Sequence, residues 1–311
     1  MAIVGSSPTA LGLPARRRRR PGSGHGPGAA AAPGRRIANR VLRLFAYALV
    51  VAVFVLPLWS MIATALSAAQ GQLGQMDLVP NGISGSNLST AWDFGAGRGL
   101  LNSLVMEVFG LTLQLTVSSL AAYALARKRF RGAAIVMTLI MATLMMPDEV
   151  VAVPLYLIIG KIPNPFTGGT LLDSYGGLIL PVVGWALPIY ILTGFMKRIP
   201  LELEEAARVD GAGDLRIFLR IIVPLCGPAL GTCAVFGFLM IWDQYLLPLL
   251  VIQTPSMDPL TVVVTSLQSS DELSDGVRLA AAAILMVPSV LFYLFLQRLF
   301  VRGMLSGSVK G

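Results

Sequence analysis

Charged residues are scarce in this sequence of 311 residues. Only 13% of them are Asp, Glu, Lys or Arg, whereas 55% are hydrophobic and the mean hydropathy is +0.74. An ordinary soluble domain carries roughly 25% charged residues. The composition therefore excludes a typical water-soluble domain and predicts a chain that lies mostly in lipid.

Histidine and cysteine are nearly absent. His25 is the single histidine and lies in a Gly/Pro/Ala-rich stretch, and Cys226 and Cys233 share one apolar run seven residues apart. A membrane-embedded metalloprotease needs clustered histidine and acidic ligands. Two cysteines on one helix face fit packing better than a disulfide or zinc framework. We therefore expect no metal site, and the membrane-enzyme alternative lacks its ligands.

The sequence also lacks the phosphate loop G-x-x-x-x-G-K-[ST]. We expect no ATP hydrolysis, no other enzymatic activity and no bound cofactor on this chain. Any ATP that drives it would be hydrolysed on a separate polypeptide.

The N-terminal stretch 1–40 is basic and rich in Gly and Pro, with five consecutive arginines at Arg16–Arg20. Such a composition buries too little apolar surface to fold, which predicts a disordered basic tail. A signal peptide would place its apolar stretch directly after the charges, but about sixteen flexible residues intervene here. We therefore expect the first apolar run to be retained as a membrane span.

The rest of the chain, 41–311, is predicted to form one membrane domain. A crossing needs about 20 apolar residues, and six runs satisfy that length. They lie at 41–66, 101–125, 133–159, 177–196, 222–252 and 279–300. Six spans return the C-terminus to the side on which the chain begins.

The distribution of the basic residues orients these spans. Of the 24 Lys and Arg residues, all but Arg98, Lys161 and Arg278 fall on one side of the predicted topology. The positive-inside rule then places both termini in the cytoplasm. This asymmetry also explains the net charge of +8 without nucleic-acid binding. The outward loops are 67–99, 160–176 and 253–278.

The cytoplasmic connection at 199–221 is unusually long and has its own helix signals. Pro200 suits a first helical turn, three Glu residues follow it, and Gly211 with Gly213 ends the helix. Asp214 is placed to cap a second helix. We predict a helix of about two to three turns, a sharp bend and a second helix that leads into the fifth span. A helix this short is unstable alone in water, so it must pack against the spans or a partner.

This segment resembles the EAA loop of bacterial ABC import permeases. The matching residues are Glu205-Ala206-Ala207, Gly211, Ile221 and Val223-Pro224 at the spacing of the family, with Val where Leu is usual. Other stretches resemble the carbohydrate, MalG-like branch. These are 121–132, the prolines and Tyr156 of the third span, Trp242-Asp243-Gln244-Tyr245, and the C-terminal 300–311. The resemblance covers about 41–311, and Asp243-Gln244 stands where Asn-Glu is frequent, which affects the substrate more than the fold.

The resemblance implies an all-α polytopic fold of six transmembrane helices with a cytoplasmic EAA coupling helix, the type I ABC importer permease fold. It implies a permease subunit, in the bacterial inner membrane, that imports a sugar or sugar derivative delivered by an extracytoplasmic binding protein. The alternative solute is glycerol-3-phosphate or another polyol derivative. The implied partners are a second, different permease subunit and two ATP-binding subunits that hold ATP and Mg.

In that family the EAA loop docks into a cleft of the ATPase subunit. The alternative interpretation of the segment is a solvated acidic helix between two spans. The residues to which the resemblance gives the coupling role are Glu204, Glu205, Ala206, Ala207, Asp210 and Gly211.

Polar residues at membrane depth suggest where a solute passes. Acidic side chains are costly there and mark lined pathways or internal pairs, and sugars are bound by hydrogen-bonding and aromatic side chains. Each could instead pack internally or anchor at an interface, and buried acids also suit a secondary transporter, although no inverted repeat is evident. The candidates are Asn102, Glu107, Gln114, Asp148, Glu149, Tyr156, Trp242, Asp243, Gln244 and Tyr245.

Overall fold

The computed structural model describes residues 33–68 and 78–308. Apart from two isolated bridges, all regular structure among these residues is helical. Most of the expected basic tail lies outside them, but its last residues, 33–40, already belong to the first helix. The main helices are α1 (Pro33–Ala65), α2 (Ser86–Ala91), α3 (Gly97–Arg127), α4 (Ala133–Thr143), α5 (Asp148–Ile159), α6 (Tyr175–Val183), α7 (Ala186–Met196), α8 (Glu202–Val209), α9 (Asp214–Ile217), α10 (Val223–Leu225), α11 (Gly227–Trp242), α12 (Leu246–Val251), α13 (Leu260–Gln268) and α14 (Asp275–Ser308).

The chain divides into two units, Met1–Phe54 and Val55–Gly311. The described part of the first unit consists of the N-terminal portion of α1. Its side chains are apolar and exposed, as with Leu44 and Phe45, which are 67% and 65% exposed. A helix that is apolar on all sides is a membrane span. The second unit contains all the other helices.

Hydropathy located the membrane segments correctly. Within the described residues, four helical stretches are long and apolar enough to cross a membrane, and the number rises to six when each of two bent helix pairs is taken as one span. The four are Asn39–Ala65, Ser86–Arg127, Tyr175–Met196 and Asp275–Gln297. These match the first, second, fourth and sixth predicted spans. The second helical stretch begins at Ser86, well before the predicted start at 101.

The third predicted span is broken. Helices α4 and α5 meet at an angle of 108°. Pro147 adopts an extended conformation directly before α5, with φ −62° and ψ 136°. The ring of a proline disfavours helical geometry in the residue before it, which explains a break at this point. The predicted span over 133–159 therefore consists of two helices that meet at a sharp bend.

The fifth predicted span is also discontinuous. Its entry segment, Asp214–Leu225, meets α11 at 77°, with the break at Cys226. Helix α11 then ends at Trp242, and residues 243–245 separate it from α12. The predicted span over 222–252 is therefore made of helical segments separated by these two breaks, because hydropathy reports burial in lipid and not helix continuity.

Helix α3 forms the centre of the second unit and packs against α6, α7, α11 and α13. The face that it buries is made of small and polar residues rather than large apolar ones. In lipid, small residues allow helices to approach closely and polar ones bond across the interface. The buried residues of α3 are Gly97, Gly99, Asn102, Ser103, Met106, Glu107, Gly110, Gln114, Ser118, Ser119, Ala122 and Tyr123.

Two of the predicted outward loops are bonded to each other through Asp173. One carboxylate oxygen of Asp173 accepts hydrogen bonds from the backbone N–H groups of Gln253 (3.0 Å) and Thr254 (2.9 Å), and the other accepts from the Thr254 hydroxyl (2.6 Å). Asp173 has a φ of 53°, a left-handed conformation that Asp tolerates better than most residues. We call this set of bonds the Asp173 clamp.

A second group of bonds attaches the same loop to α3. The Asn102 side chain donates to the backbone carbonyls of Ser256 (3.0 Å) and Asp258 (2.9 Å). The Tyr175 hydroxyl in turn donates to Asn102 Oδ1 over 2.7 Å. The Asp173 clamp and Asn102 therefore fix residues 253–258 from two sides.

We predict that Asp173→Ala frees this loop. Losing a hydrogen bond to an ionised acceptor costs about 1.5 kcal/mol, which corresponds to roughly tenfold faster amide exchange at Gln253 and Thr254. Hydrogen–deuterium exchange on the detergent-solubilised protein measures it. The bonds from Thr254 and Gln253 lower the pKa of Asp173 below its ordinary value of 3.8. Protection should therefore be complete at neutral pH and disappear only as the pH falls through the lowered value.

Glu272→Ala is the matched control, because Glu272 is an exposed acid in the next connection. Asp173→Asn should give an intermediate rate, since Asn tolerates the left-handed backbone and keeps one acceptor oxygen. Unchanged exchange in Asp173→Ala would show that the loop is held without the clamp.

Candidate coupling site and solute pathway

Residues 199–217 form the predicted helix, bend and second helix, which we call the elbow. Helix α8 has eight residues and carries three acids in its first turn. Gly211 then turns the chain with a φ of +80°, and the Ala212 N–H bonds back to the Ala207 carbonyl over 2.9 Å. A residue with a side chain is strained at such a φ, which explains a glycine at this point.

The start of the second helix differs from the prediction in one respect. Gly213, not Asp214, precedes the first helical residue, and no side chain caps the helix. Asp214 instead pairs with Lys128 at 2.6 Å and with Arg208 at 3.4 Å. Its carboxylate therefore ties the elbow to the end of α3 rather than to its own helix.

The elbow is also attached to the bundle by apolar packing. Ile217 and Phe218 are buried in a cluster that includes Tyr123, Leu192 and Met196. The rings of Tyr123 and Phe218 lie 5.2 Å apart. Burial of large aromatic and aliphatic side chains at this junction fixes the second helix of the elbow against α3 and α7.

Glu204 lies on the inner face of α8. Its side chain is only 1% exposed and is paired with Arg127 at 2.6 Å, where Arg127 itself is 4% exposed. The Tyr123 hydroxyl donates to Glu204 over 3.5 Å, and Arg208 approaches it at 3.6 Å. The carboxylate of Glu204 is therefore enclosed within this chain, and its part in coupling stays a prediction.

The outer face of α8 is open. Glu205 and Ala206 are exposed, Leu203 is 43% exposed and Val209 is 88% exposed. Of the other predicted coupling residues, Asp210 and Gly211 are exposed and Ala207 is partly buried against the apolar cluster. An exposed surface of mixed acidic and apolar side chains therefore remains beside the buried anchor.

Three of the predicted pathway residues are packed inside the bundle. Glu107 is 5% exposed, Gln114 is 0% exposed and Trp242 is 3% exposed. Gln114 donates to the Val182 carbonyl over 2.8 Å, and the Trp242 ring nitrogen donates to the Leu285 carbonyl over 3.2 Å. Both bonds run between helices, although Oε1 of Gln114 has no bonding partner among the described residues. Their place on a solute pathway stays a prediction.

Glu107 differs from these two residues. Among the described residues, no donor lies within bonding distance of either of its carboxylate oxygens. Asp243 is close enough for its charge to act on Glu107. A buried acid without a partner is costly, so Glu107 remains a pathway candidate that faces the interior of the bundle.

The remaining pathway candidates do not form one compact site in the described part of the chain. Asp148, Glu149, Asp243 and Tyr245 are exposed, and Tyr156 and Gln244 are partly buried. Asp148 and Glu149 occupy the first turn of α5. The backbone carbonyl of Gln244 accepts a bond from the Thr261 hydroxyl over 2.6 Å. The acids at 148–149 lie at the break before α5, and residues 243–245 lie at the break before α12. At each break the backbone is not helical and polar side chains accompany it.

Sequence reasoning missed the residues that hold these elements together. Lys128 counted only as a cytoplasmic positive charge, Arg127 and Tyr123 also belonged to the stretch 121–132 that resembles the family, and Asp173 was not singled out. Their one signal was position, since Arg127 and Lys128 end the second span directly after Tyr123. No group of three or more His, Cys, Asp or Glu side chains within the described ranges is placed to hold a metal ion.

Comparison with known proteins agrees with this arrangement. Residues 114–306 match the family model described as binding-protein-dependent transport system inner membrane component. The melibiose/raffinose/stachyose import permease protein MelC of Bacillus subtilis is 31% identical over 88% of this chain and 97% of its own length. The sn-glycerol-3-phosphate transport system permease protein UgpE of Yersinia pestis is 36% identical over 78% of this chain and 87% of its own.

A solved structure shares the fold. It is that of a bacterial ABC transporter involved in the import of the acidic polysaccharide alginate, with a TM-score of 0.72 and 22% identity over 86% of this chain and 98% of the other. Its likeness supports the helical arrangement described above. With a matched family model over most of the chain and relatives above 30% identity, the chain belongs to the inner-membrane permease components of binding-protein-dependent ABC importers.

Proposed function

We propose that this chain is a permease subunit through which a bacterial importer moves a sugar or sugar derivative, driven by ATP hydrolysis on separate subunits. The observation that carries the proposal is the open outer face of α8 on an elbow anchored to the membrane bundle. An extracytoplasmic binding protein delivers the solute, and the partner ATPase subunits hold ATP and Mg²⁺.

The outer face of α8 suits an ATPase cleft. Leu203 and Val209 are exposed although they are apolar, and Glu205 lies between them in sequence. Exposed apolar side chains on a short amphipathic helix favour a protein groove as their partner. Because α8 is clamped to α3 from its inner face, a partner that grips the outer face can move the bundle.

Two sets of contacts support the proposed topology. The Lys128–Asp214 pair joins the connection after α3 to the elbow, so these two basic connections lie at one end of the bundle. The Asp173 clamp joins two loops whose only basic residues are Lys161 and Arg278. The positive-inside rule then assigns the elbow and both termini to the cytoplasm and leaves the clamped loops for the binding protein.

The broken third span supports a second permease subunit as partner. Asp148 and Glu149 are exposed on this chain next to apolar residues such as Val150 and Val153, which are 63% and 56% exposed. Acids at membrane depth do not face lipid, and irregular backbone there must be covered by protein or by a water-filled cavity. A second, different permease against α5 would supply that cover and leave the acids on a shared aqueous pathway.

The charge of the exposed candidates favours a sugar over glycerol-3-phosphate. Asp148, Glu149 and Asp243 are all acidic, and a pathway lined by negative charge repels a phosphate. Neutral sugars meet no such penalty. Of the two relatives, the melibiose/raffinose/stachyose permease is therefore the better guide to the solute class, because the sugars in its name are neutral.

We predict that Glu205→Lys abolishes binding of the ATPase subunits while the permease still reaches the membrane. The substitution reverses the charge at the centre of the open face without touching the Glu204 anchor. Copurification of the ATPase with the tagged permease measures the effect. Glu272→Lys, the same change in a distant connection, should leave copurification intact. Equal recovery of the ATPase with both variants would refute docking at α8.

We also predict that a cysteine at position 149 is reached by water in the assembled importer. Glu149→Cys should react with a membrane-impermeant maleimide in vesicles, whereas Leu139→Cys, at an apolar position of α4 that is 62% exposed on the isolated chain, should not. Cys226 and Cys233 are buried and give no background. If neither cysteine reacted with the maleimide, α5 would not line the aqueous pathway.

A further inference from the structure

Helix α8 is held to the bundle by side chains from a span to which it is not covalently joined. Its chain neighbours are α7 on one side and the entry to the fifth span on the other. Its buried acid, Glu204, instead reaches the C-terminal end of α3 through Arg127. Eight residues form too short a helix to stand alone in water, so this attachment decides where α8 lies.

Both side chains of the Arg127–Glu204 ion pair are enclosed by the protein. Arg127 also donates to the carbonyl of Ile199, the first residue of the elbow, over 2.7 Å. Glu204 receives the Tyr123 hydroxyl in addition to Arg127. A buried ion pair adds little net stability compared with apolar packing, but either charge left without the other is strongly disfavoured. The two side chains therefore move together.

We propose that Arg127 and Glu204 are positioning residues that transmit the movement of α8 into α3. The proposal rests on the proposed function, because it needs an ATPase that pulls on α8. The movement of α8 then reaches the second span through this ion pair. It also reaches the fifth span through the backbone that joins α8 to it. Neither residue touches the solute.

The neighbouring pair, Lys128–Asp214, provides a built-in comparison. It also joins the end of α3 to the elbow over 2.6 Å, but through Asp214 of α9 instead of Glu204 of α8, and its side chains are 41% and 55% exposed. Exposed pairs are screened by water and contribute little. If burial is what makes the Arg127–Glu204 pair a mechanical joint, the exposed pair should be dispensable.

Helix α3 is well placed to use such an input. It runs from the Arg127 end to the outer residues Asn102 and Arg98, which bond the loop at Ser256. Glu107 and Gln114 lie on the same helix between these ends. A displacement that enters at Arg127 thus reaches both the pathway candidate and the outward loop along one helix.

The test uses the assembled importer in nanodiscs and needs no solute. An environment-sensitive thiol dye is attached at Leu101→Cys on α3 or at Leu239→Cys on α11, which are 62% and 44% exposed. Fluorescence is compared without nucleotide and with ATP, Mg²⁺ and vanadate. We expect both positions to respond in otherwise unchanged protein. In Arg127→Gln/Glu204→Gln the response at Leu101→Cys should fall at least fivefold, and that at Leu239→Cys should persist.

Matched variants separate the joint from general damage. Lys128→Gln/Asp214→Asn should keep both responses, and Arg127→Glu/Glu204→Arg, which restores the pair in reverse, should recover the response on α3. If the double Gln variant does not assemble, Glu204→Asp retains both charges but shortens the reach of the carboxylate, and should weaken the α3 response alone.

An undiminished fluorescence response on α3 in the double Gln variant or in Glu204→Asp would contradict the proposed role of Arg127 and Glu204. The lack of any response at Leu101→Cys in the parent protein would contradict it as well. Failure of the parent chain to bind an ATPase at all would instead refute the proposed function. Copurification measured beforehand keeps these two outcomes apart.

Discussion

The absence of water from the bilayer interior governs this structure, because every backbone group and every charge there must find a partner within protein or a hydrated cavity. The break at Cys226 obeys this constraint internally, since Cys226 is fully buried by neighbouring helices. The break before α5 does not, because Pro147, Asp148 and Glu149 are all exposed on the single chain. This break therefore needs cover from another protein, as the proposed second permease would supply, or from a water-filled cavity.

The same constraint explains which acids are paired. At the C-terminal end of α3, Glu204 is enclosed together with Arg127 and the Tyr123 hydroxyl. In the middle of α3, Glu107 is enclosed without any donor among the described residues. An acid that is expensive to bury and is left without a partner is a poor structural element. Its retention fits a role that requires contact with something that moves through the bundle.

How far the sequence predicts this molecule depends on the type of signal. Hydropathy located every span because about 20 apolar residues leave few alternatives. Pro200 and Gly211 predicted the elbow because proline fixes its own φ and glycine permits the positive φ that the bend requires. Adjacent acids gave no such signal. Glu204 is buried and Glu205 exposed, and on an isolated helix no pattern distinguishes the acid that meets its own chain from the acid that is open to another. Trp242 presents a similar ambiguity, since an aromatic side chain suits both the packed interior, where Trp242 lies, and a sugar-binding surface.

The bend in the fifth span explains why a second connection to the elbow is useful. The entry segment meets α11 at 77°, so a push along the elbow is not in line with the helix that follows it in the chain. Helices are stiff along their axes, but a break absorbs part of a displacement as rotation. Helix α3, by contrast, runs without a break from Gly97 to Arg127 and ends against the elbow. A direct ionic contact to this continuous helix passes the displacement on without the loss that the broken covalent path imposes.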